Sequence, residues 1–410
     1  MSEITEIRNA TVVTPTECLD DGRVILTGDR IAQVGSTPDS ELTRATTVDA
    51  NGQIVMPGLV DLHGDDIEGH HSPRAGATVP PRTALTTADR TNLLAGVTTK
   101  FHAVAFEDAP DDDRSLAAAS ALAAEIDDAD YTLGDNRLHA RCELTEASVT
   151  AVAETIETTG ADLVSIMHHA PGEGQYDSDD FERHYIEDRN VSAEGVARLA
   201  AARESLDADD RDARVARIAE IARQAAVPLA SHDDASPAAV DRMAAHGVTI
   251  SEYPLTLDAI QQAEARGLTT VMGAPNLLRG GSLWDNLAVD TAIDAGCVDV
   301  LCADYHPPSL LAAPFVDTGE PLPTRVNRVT RNPADAVGLT DRGRIEVGAR
   351  ADLIVVDPEP TPTVEQVFVE GQPVAELGPP LDDCEPRDAE IDSTPTLASY
   401  PSTSAFYRSR

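Results

Sequence analysis

Lysine is all but missing from this chain: Lys100 is the single one among 410 residues, so nearly all of the 31 basic residues are arginine. Against them stand 71 acidic residues, and the formal net charge of −40 is spread along the chain. Such a surface repels polyanions, which excludes nucleic acid as a partner. Paired cysteine is missing too. Cys18, Cys142, Cys297, Cys302 and Cys384 are scattered without a Cys-x-x-Cys pair, which argues against a structural zinc site or a disulfide framework and leaves buried thiols. There is no apolar run of membrane-spanning length and no charged-then-apolar N-terminal signal, so a soluble, cytoplasmic protein without a membrane partner is expected. No Gly-x-x-x-x-Gly-Lys-Ser/Thr run occurs, so any phosphate must be held by arginine and backbone N–H groups, without a P-loop.

What the chain does have is alternation. Apolar runs that read as strands cover Leu59 to His63, Thr98 to Val104, Leu138 to Leu144, Leu163 to His169, Pro228 to His232, Thr249 to Tyr253, Thr269 to Gly273 and Val298 to Asp304. Helix-like stretches lie between them, among them Ser115 to Ala124, Arg214 to Ala226, Pro237 to His246, Leu257 to Arg266 and Leu283 to Ala295. Eight strands with intervening helices predict an α/β fold of (β/α)8 TIM-barrel type over residues 58–339. The alternative is an open doubly wound sheet, which lacks its glycine fingerprint here. Residues 1–57 and 340–378 both show short strands and turns and are expected to pair into one small β-sandwich domain. Residues 379–410, rich in Ser, Thr and Pro, are expected to form a loosely packed tail.

Barrel enzymes carry their chemistry at the C-terminal ends of strands, so the residues ending these runs are the informative ones. The first run ends in Asp61-Leu-His-Gly-Asp65. His63 and Asp65 are two apart on an extended segment, so both side chains face one side and can reach one cation, unless Asp65 merely caps the following turn. The other strand ends bring His102, Glu143, His168/His169, His232 and Asp304, a recurrent set of ligand-type residues for a chain with 11 histidines. Two cations about 3.5 to 4 Å apart would need a bridging carboxylate. Glu143 is the candidate bridge, and Asp304 the candidate catalytic group that takes the proton of an attacking water. Lys100 lies on an earlier strand, either facing substrate phosphate or pairing with a barrel carboxylate.

Pro57-Gly-Leu-Val-Asp-Leu-His63, linked to a β unit built from both termini, resembles the amidohydrolase superfamily. Asp61 to Arg74, Arg141-Cys-Glu143, His169-Ala-Pro-Gly172, Ser231-His-Asp-Asp-Ala235, Met272-Gly-Ala-Pro-Asn276 and Arg279-Gly-Gly-Ser282 resemble more narrowly its α-D-ribose 1-methylphosphonate 5-triphosphate diphosphatase family, of the carbon–phosphorus lyase pathway, between roughly Pro57 and Leu311. The resemblance implies hydrolysis of a 5-triphosphate to a 5-phosphate and pyrophosphate by attack of a metal-bridging hydroxide. It matches His63, Asp65, Glu143, His169, His232 and Asp304 to the metal positions, for two divalent ions, zinc first and manganese or iron as alternatives. Departures are His102 and His168 where aspartate is expected, His306 after Asp304-Tyr305, and Glu143 on the third strand where the superfamily's bridge is usual on the fourth. A short unrecognised strand between Val104 and Leu138 would remove the last of these. The acidic, lysine-poor composition resembles cytosolic proteins of salt-loving archaea.

Arginines at Arg74, Arg141 and Arg279 are the candidate substrate contacts, with Gly280 and Gly281 offering open N–H groups at the start of a helix. Arg141 shares a strand face with Glu143 and could instead be its structural partner. The expected partner is therefore a small phosphorylated molecule, with a homo-oligomer left open. The competing activity is hydrolysis of a cyclic amide or N-acyl compound with the same metal site. The two are separable by whether several arginines or a single charged anchor converge on the pocket.

Overall fold

The computed structural model describes residues 4–377 apart from 37–44, 75, 108–113, 173, 175–177, 189–190, 283 and 285. The expected tail and Cys384 lie outside the described residues. Strands run in chain order as β1 (Ile4–Val13), β2 (Cys18–Thr27), β3 (Arg30–Ser36), β4 (Thr46–Asp49) and β5 (Ile54–Pro57). Then come β6 (Leu59–Gly64), β7 (Val97–Phe106), β8 (Asp135–Glu143), β9 (Leu163–Met167), β10 (Leu229–His232), β11 (Ile250–Glu252), β12 (Thr269–Gly273) and β13 (Val300–Cys302). β14 (Leu353–Asp357), β15 (Thr363–Val369) and β16 (Gln372–Glu376) follow.

β6 to β13 pair in parallel in strict chain order, the pattern that right-handed helical crossovers produce. The seam closes at the C-terminal rim, where Gly64 bridges Asp304 in parallel, Asp304 N–H donates to His63 O at 2.8 Å and Asp65 N–H to Asp304 O at 3.1 Å. That closure removes the open-sheet alternative, because an open sheet leaves its first and last strands as edges. Among the described residues no strand lies between β7 and β8, so Glu143 does end the third barrel strand.

The second sheet has the order β16-β15-β14-β5-β1-β2-β3, with β4 on β1. Period-2 alternation explains how it serves two cores. Val55, Leu353 and Val355 face a core shared with Ile7, Val24, Leu26 and Phe368. Their neighbours Met56, Ile354 and Val356 face the other way and pack with Leu59, Val97 and Leu301 of the barrel. Helices start where a side chain can take an orphan N–H: Ser115, Thr145, Ser192, Asp207, Ser236 and Thr256 each cap the helix that follows. Of the helix expected over Leu283 to Ala295, the described residues form a helix at Val289–Asp294. No helix of the described residues is long and apolar enough to cross a membrane.

Candidate metal centre and pocket

The C-terminal rim of the barrel surrounds a pocket of about 300 Å³. His63, Asp65, His169, His232 and Asp304 all line it, together with Arg141. Three residues just past strand ends here have left-handed backbone: Asp233 (φ 59°), Tyr253 (φ 51°) and Asp304 (φ 55°). A non-glycine residue there is strained, and such strain clusters where side-chain direction matters. Its effect is to turn all three side chains into the pocket.

Two carboxylates beneath the pocket fix the imidazoles. Glu252, fully buried, accepts from His63 Nδ1 at 3.2 Å and from His232 Nδ1 at 3.4 Å. Glu143, also fully buried, accepts from His169 Nδ1 at 3.0 Å and from its backbone N–H at 3.2 Å. Burial pushes both carboxyls up, but the charges around them win, and both lie well below the ordinary value. A carboxylate on Nδ1 fixes the ring and leaves Nε2 for a cation, the usual support for a metal-bound histidine.

Two groups of side chains have ligand atoms within 4.8 Å of one another: His63, His139 and Glu252, and His169, His232 and Asp233. Their hydrogen bonds distinguish them. His139 Nδ1 faces Leu62 O at 2.9 Å, a pure acceptor, so it carries the proton, and Nε2 then accepts from Ser165 Oγ at 2.9 Å. Both nitrogens are thus committed, and burial holds this imidazole neutral, with a pKa lowered to about 3. The first group is a closed hydrogen-bonded floor.

The second group opens to the pocket. Asp233 Oδ2 is buried without a hydrogen-bond partner, 3.6 Å from His169 Nε2, and Asp233 Oδ1 is 3.8 Å from His232 Nε2. Two imidazoles and an orphaned carboxylate fit a divalent cation. Burial opposes charging of His169, but Asp233 and Glu143 outweigh it and raise the pKa to about 9. A cation competes with that proton for Nε2.

Asp304 is half-buried in the same wall, and its carboxyl is pushed up to about 8, by desolvation first and by the nearby charge of Asp65 second. Asp65 goes the other way: Arg114 and Arg141 overcome its burial and lower it. One of its oxygens, Oδ2, lies 3.8 Å from each guanidinium. Arg141 is 8% exposed, with Nε and Nη1 buried and without hydrogen-bond partners. It faces Asp65, so it is not the structural partner of Glu143.

Several expected contacts fall elsewhere. Glu143, the expected bridge, is in neither ligand group: its oxygens accept from the backbone N–H and Nδ1 of His169. Arg74 is exposed in a short turn paired to Ala77 and does not line the pocket. Arg279 ends the helix Ala274–Arg279, and Gly280 and Gly281 follow it. Gly280, with φ 77°, and Gly281 donate their N–H groups back to Asn276 O, so these amides close a helix C-terminus and have nothing left for an anion. Arg279 is exposed and reaches the rim through Tyr305 and Asn276. Lys100 is buried between Asp61 (2.6 Å) and Asp66 (2.8 Å), a partner for barrel carboxylates and not a phosphate contact. His102 is buried against Asn136 (2.7 Å), and His168 lies 3.5 Å from Glu143.

The middle residue of His63-Gly64-Asp65 is explained by the same lysine. A Cβ on Gly64 would sit 1.9 Å from Lys100 Nζ and 2.7 Å from Asp61 Oδ2. Asp61 Oδ1 in turn accepts the N–H groups of His63 and Ala303, so one ion cluster holds both sides of the barrel seam.

Residues 54–374 match the Amidohydrolase family. The chain belongs to that family. It is 30% identical over 359 residues to the alpha-D-ribose 1-methylphosphonate 5-triphosphate diphosphatase of Escherichia coli (strain K12), covering 85% of this chain and 94% of the relative. Adenine deaminase 2 of Latilactobacillus sakei subsp. sakei (strain 23K) is 25% identical over 402 residues, 92% of this chain and 57% of that protein. Among solved structures, the D-hydantoinase from a Bacillus sp. AR9 aligns with a TM-score of 0.61 at 14% identity, over 91% of this chain and 95% of that one. At that identity it speaks for the fold alone. Among the residues that line or support this pocket, Asp233, Glu252 and Arg114 were not singled out from the sequence, although Glu252 ends a strand by the same rule as the others.

Proposed function

We propose that this chain is a metal-dependent hydrolase that cleaves a ribosyl 5-triphosphate, of the α-D-ribose 1-methylphosphonate type, to the 5-phosphate and pyrophosphate. The observation that carries the reading is Arg141: a buried guanidinium with two nitrogens that make no hydrogen bond and only a 3.8 Å ion pair to Asp65, lining the pocket beside Arg114 and the imidazoles. A buried cationic fork costs much free energy unless an anion meets it, and phosphate oxygens match its geometry. Two converging arginines favour a phosphate substrate over the cyclic amide or N-acyl alternative, for which one anchor would do. The 30% identity to a triphosphate diphosphatase over most of both chains supports the same substrate class.

His169, His232 and Asp233 would hold a divalent cation, with His63 lining the same pocket; zinc suits two imidazoles and a carboxylate, and manganese or iron are compatible. When bound, it supplies Lewis-acid polarisation and charge neutralisation at the reacting phosphoryl group. The chain's own groups do the rest. Asp304, as its ionised carboxylate, takes a proton from the attacking water as the water oxygen bonds to phosphorus. The P–O bond between the α- and β-phosphates breaks, and Arg141 and Arg114 meet the charge that develops on the leaving pyrophosphate. Asp65, set between the two guanidinium groups, keeps them aligned until the substrate arrives.

The test is pyrophosphate release from ribosyl 5-triphosphates by metal-loaded protein, with a hydantoin and an N-acyl amino acid run in parallel. Arg141→Met should lower kcat/KM for the triphosphate by roughly 10²-fold, the cost of about 2.7 kcal/mol of charge-assisted bonding. Turnover of the hydantoin with no pyrophosphate would sink the reading.

A further inference from the structure

Between β9 and β10 the chain makes a long excursion that includes helices Ser178–Arg183 and Ala193–Glu204, joined by a π-helical turn at His184–Asp188. Phe181, Tyr185, Val191 and Val196 give it a small core of its own, against which Trp284 packs from another loop. His184, Tyr185 and Trp284 form the outer wall of the pocket. A buried charge of this excursion is Arg203, only 3% exposed, at the end of its second helix.

Arg203 does not point into the pocket. Its Nη1 donates to His169 O at 2.7 Å and to Tyr185 Oη at 2.8 Å, and its Nη2 pairs with Glu107. Tyr185 in turn donates its own hydroxyl proton to Glu107 at 2.9 Å. Donors and acceptors match around this ring, with Glu107 taking both the guanidinium and the phenol. His169 is then held on three sides: Glu143 on its backbone N–H, Glu143 again on Nδ1, and Arg203 on its carbonyl. Only Nε2 is left facing Asp233.

We propose that Arg203 is a positioning residue for the metal centre, fixing the main chain at His169 and tying it, through Tyr185 and Glu107, to the wall over the pocket. Arg203 touches neither cation nor substrate. Its contribution is geometric: a ring pinned at backbone and Nδ1 presents Nε2 to the cation without loss of rotamer freedom on binding, and groups in this supporting layer commonly govern metal affinity by 10- to 100-fold. The inference rests on the metal site assigned to His169, His232 and Asp233, and not on the identity of the substrate.

The experiment measures divalent-metal affinity of the full chain by competition with a chromophoric chelator, using zinc and cobalt as probes, with the cobalt absorption spectrum as a second readout. Arg203→Met should weaken affinity by 10-fold or more and alter the cobalt bands. Tyr185→Phe, which keeps the ring and removes the link to Glu107, should give a smaller loss in the same direction. Arg203→Lys should recover part of the affinity, because an ammonium reaches the carbonyl but cannot also make the fork to Tyr185 and Glu107. Arg198→Met, on the exposed face of the same helix where Arg198 pairs with Glu194, should bind metal as the unaltered chain does. If Arg203→Met fails to fold, Arg203→Lys and Tyr185→Phe still decide the matter. Unchanged affinity and spectrum in the Arg203 and Tyr185 variants overturn the proposal. An unaltered chain that binds no metal overturns instead the metal site itself.

Discussion

Replacing Lys100 with methionine keeps the length of the side chain and removes the one charge that compensates Asp61 and Asp66. Lys100 is 2% exposed and bonded to both carboxylates at 2.6 and 2.8 Å. Breaking a buried ion pair from one side costs about 3 to 5 kcal/mol, because the remaining charges stay desolvated and uncompensated. At about 2.1 cal/mol/K of unfolding entropy per residue over 410 residues, each kcal/mol moves the melting midpoint by about 1.2 °C, so Lys100→Met should melt about 4 to 6 °C lower. The deficit should depend on pH in a definite direction. Burial works to raise Asp66 and the ammonium reverses it, holding the carboxyl below its ordinary value. Without Lys100, the folded-state pKa of Asp66 rises above the unfolded value of about 3.9, so the folded variant binds the extra proton and the deficit shrinks as the pH falls. The assay is thermal unfolding of both proteins at one salt concentration between pH 5 and 8. A midpoint within 1 °C of the unaltered protein, or a deficit that is the same at both ends of the range, refutes the reasoning.

Gly64→Ala should act on the same cluster from the other side, driving Lys100 from its place; a loss of 1 to 3 kcal/mol in denaturant unfolding, about the cost of overpacking, is expected, with metal affinity falling in step. Glu252→Gln leaves one acceptor oxygen for two imidazole N–H donors, so chelator competition should show metal affinity reduced by about 10- to 100-fold without loss of the fold. His139 is neutral in the folded protein, with its pKa lowered to about 3 by burial, while the unfolded imidazole takes a proton near pH 6.5. The unfolded state therefore binds more protons between these values, and stability should fall with acidification by up to about 1.4 kcal/mol per pH unit from this group; His139→Gln should flatten that slope in pH-dependent denaturant titrations. Asp304→Asn should keep metal and lose turnover by about 10²- to 10⁴-fold, the range of a proton-transfer group, as followed by pyrophosphate release.

The barrel was legible because most of its strands are short apolar runs set between helix-like stretches, and β6 to β13 coincide with the eight runs to within a few residues. His184 reaches the pocket from a helical turn, whereas His63, His169 and His232 followed from the ends of those runs. Asp233 did not, since strict strand alternation sends a residue next to His232 to the opposite face; only the left-handed turn at φ 59° returns it to the pocket. Glu252 was legible in principle, at the end of Ile250-Ser-Glu252, but a carboxylate beneath two imidazoles has no local spacing to mark it. Arg203 lies 34 residues from the carbonyl that it holds, on an amphipathic helix where it reads as one surface arginine among several. At Gly280 the reading was inverted: Leu277-Leu-Arg-Gly280 carries the pattern of a helix end, a basic last turn followed by glycine.

The seam of the barrel joins residues 242 apart in the chain, Asp61 and Ala303, and His63, Asp65 and Asp304 line the pocket beside it. Closing so long a loop comes late in folding, since its entropy is spent before the contacts reward it. The pocket is thus a checkpoint on completeness. A nascent chain released before Asp304 lacks the partner of Gly64, and a fully made chain acquires its clasp only when first and last strands meet.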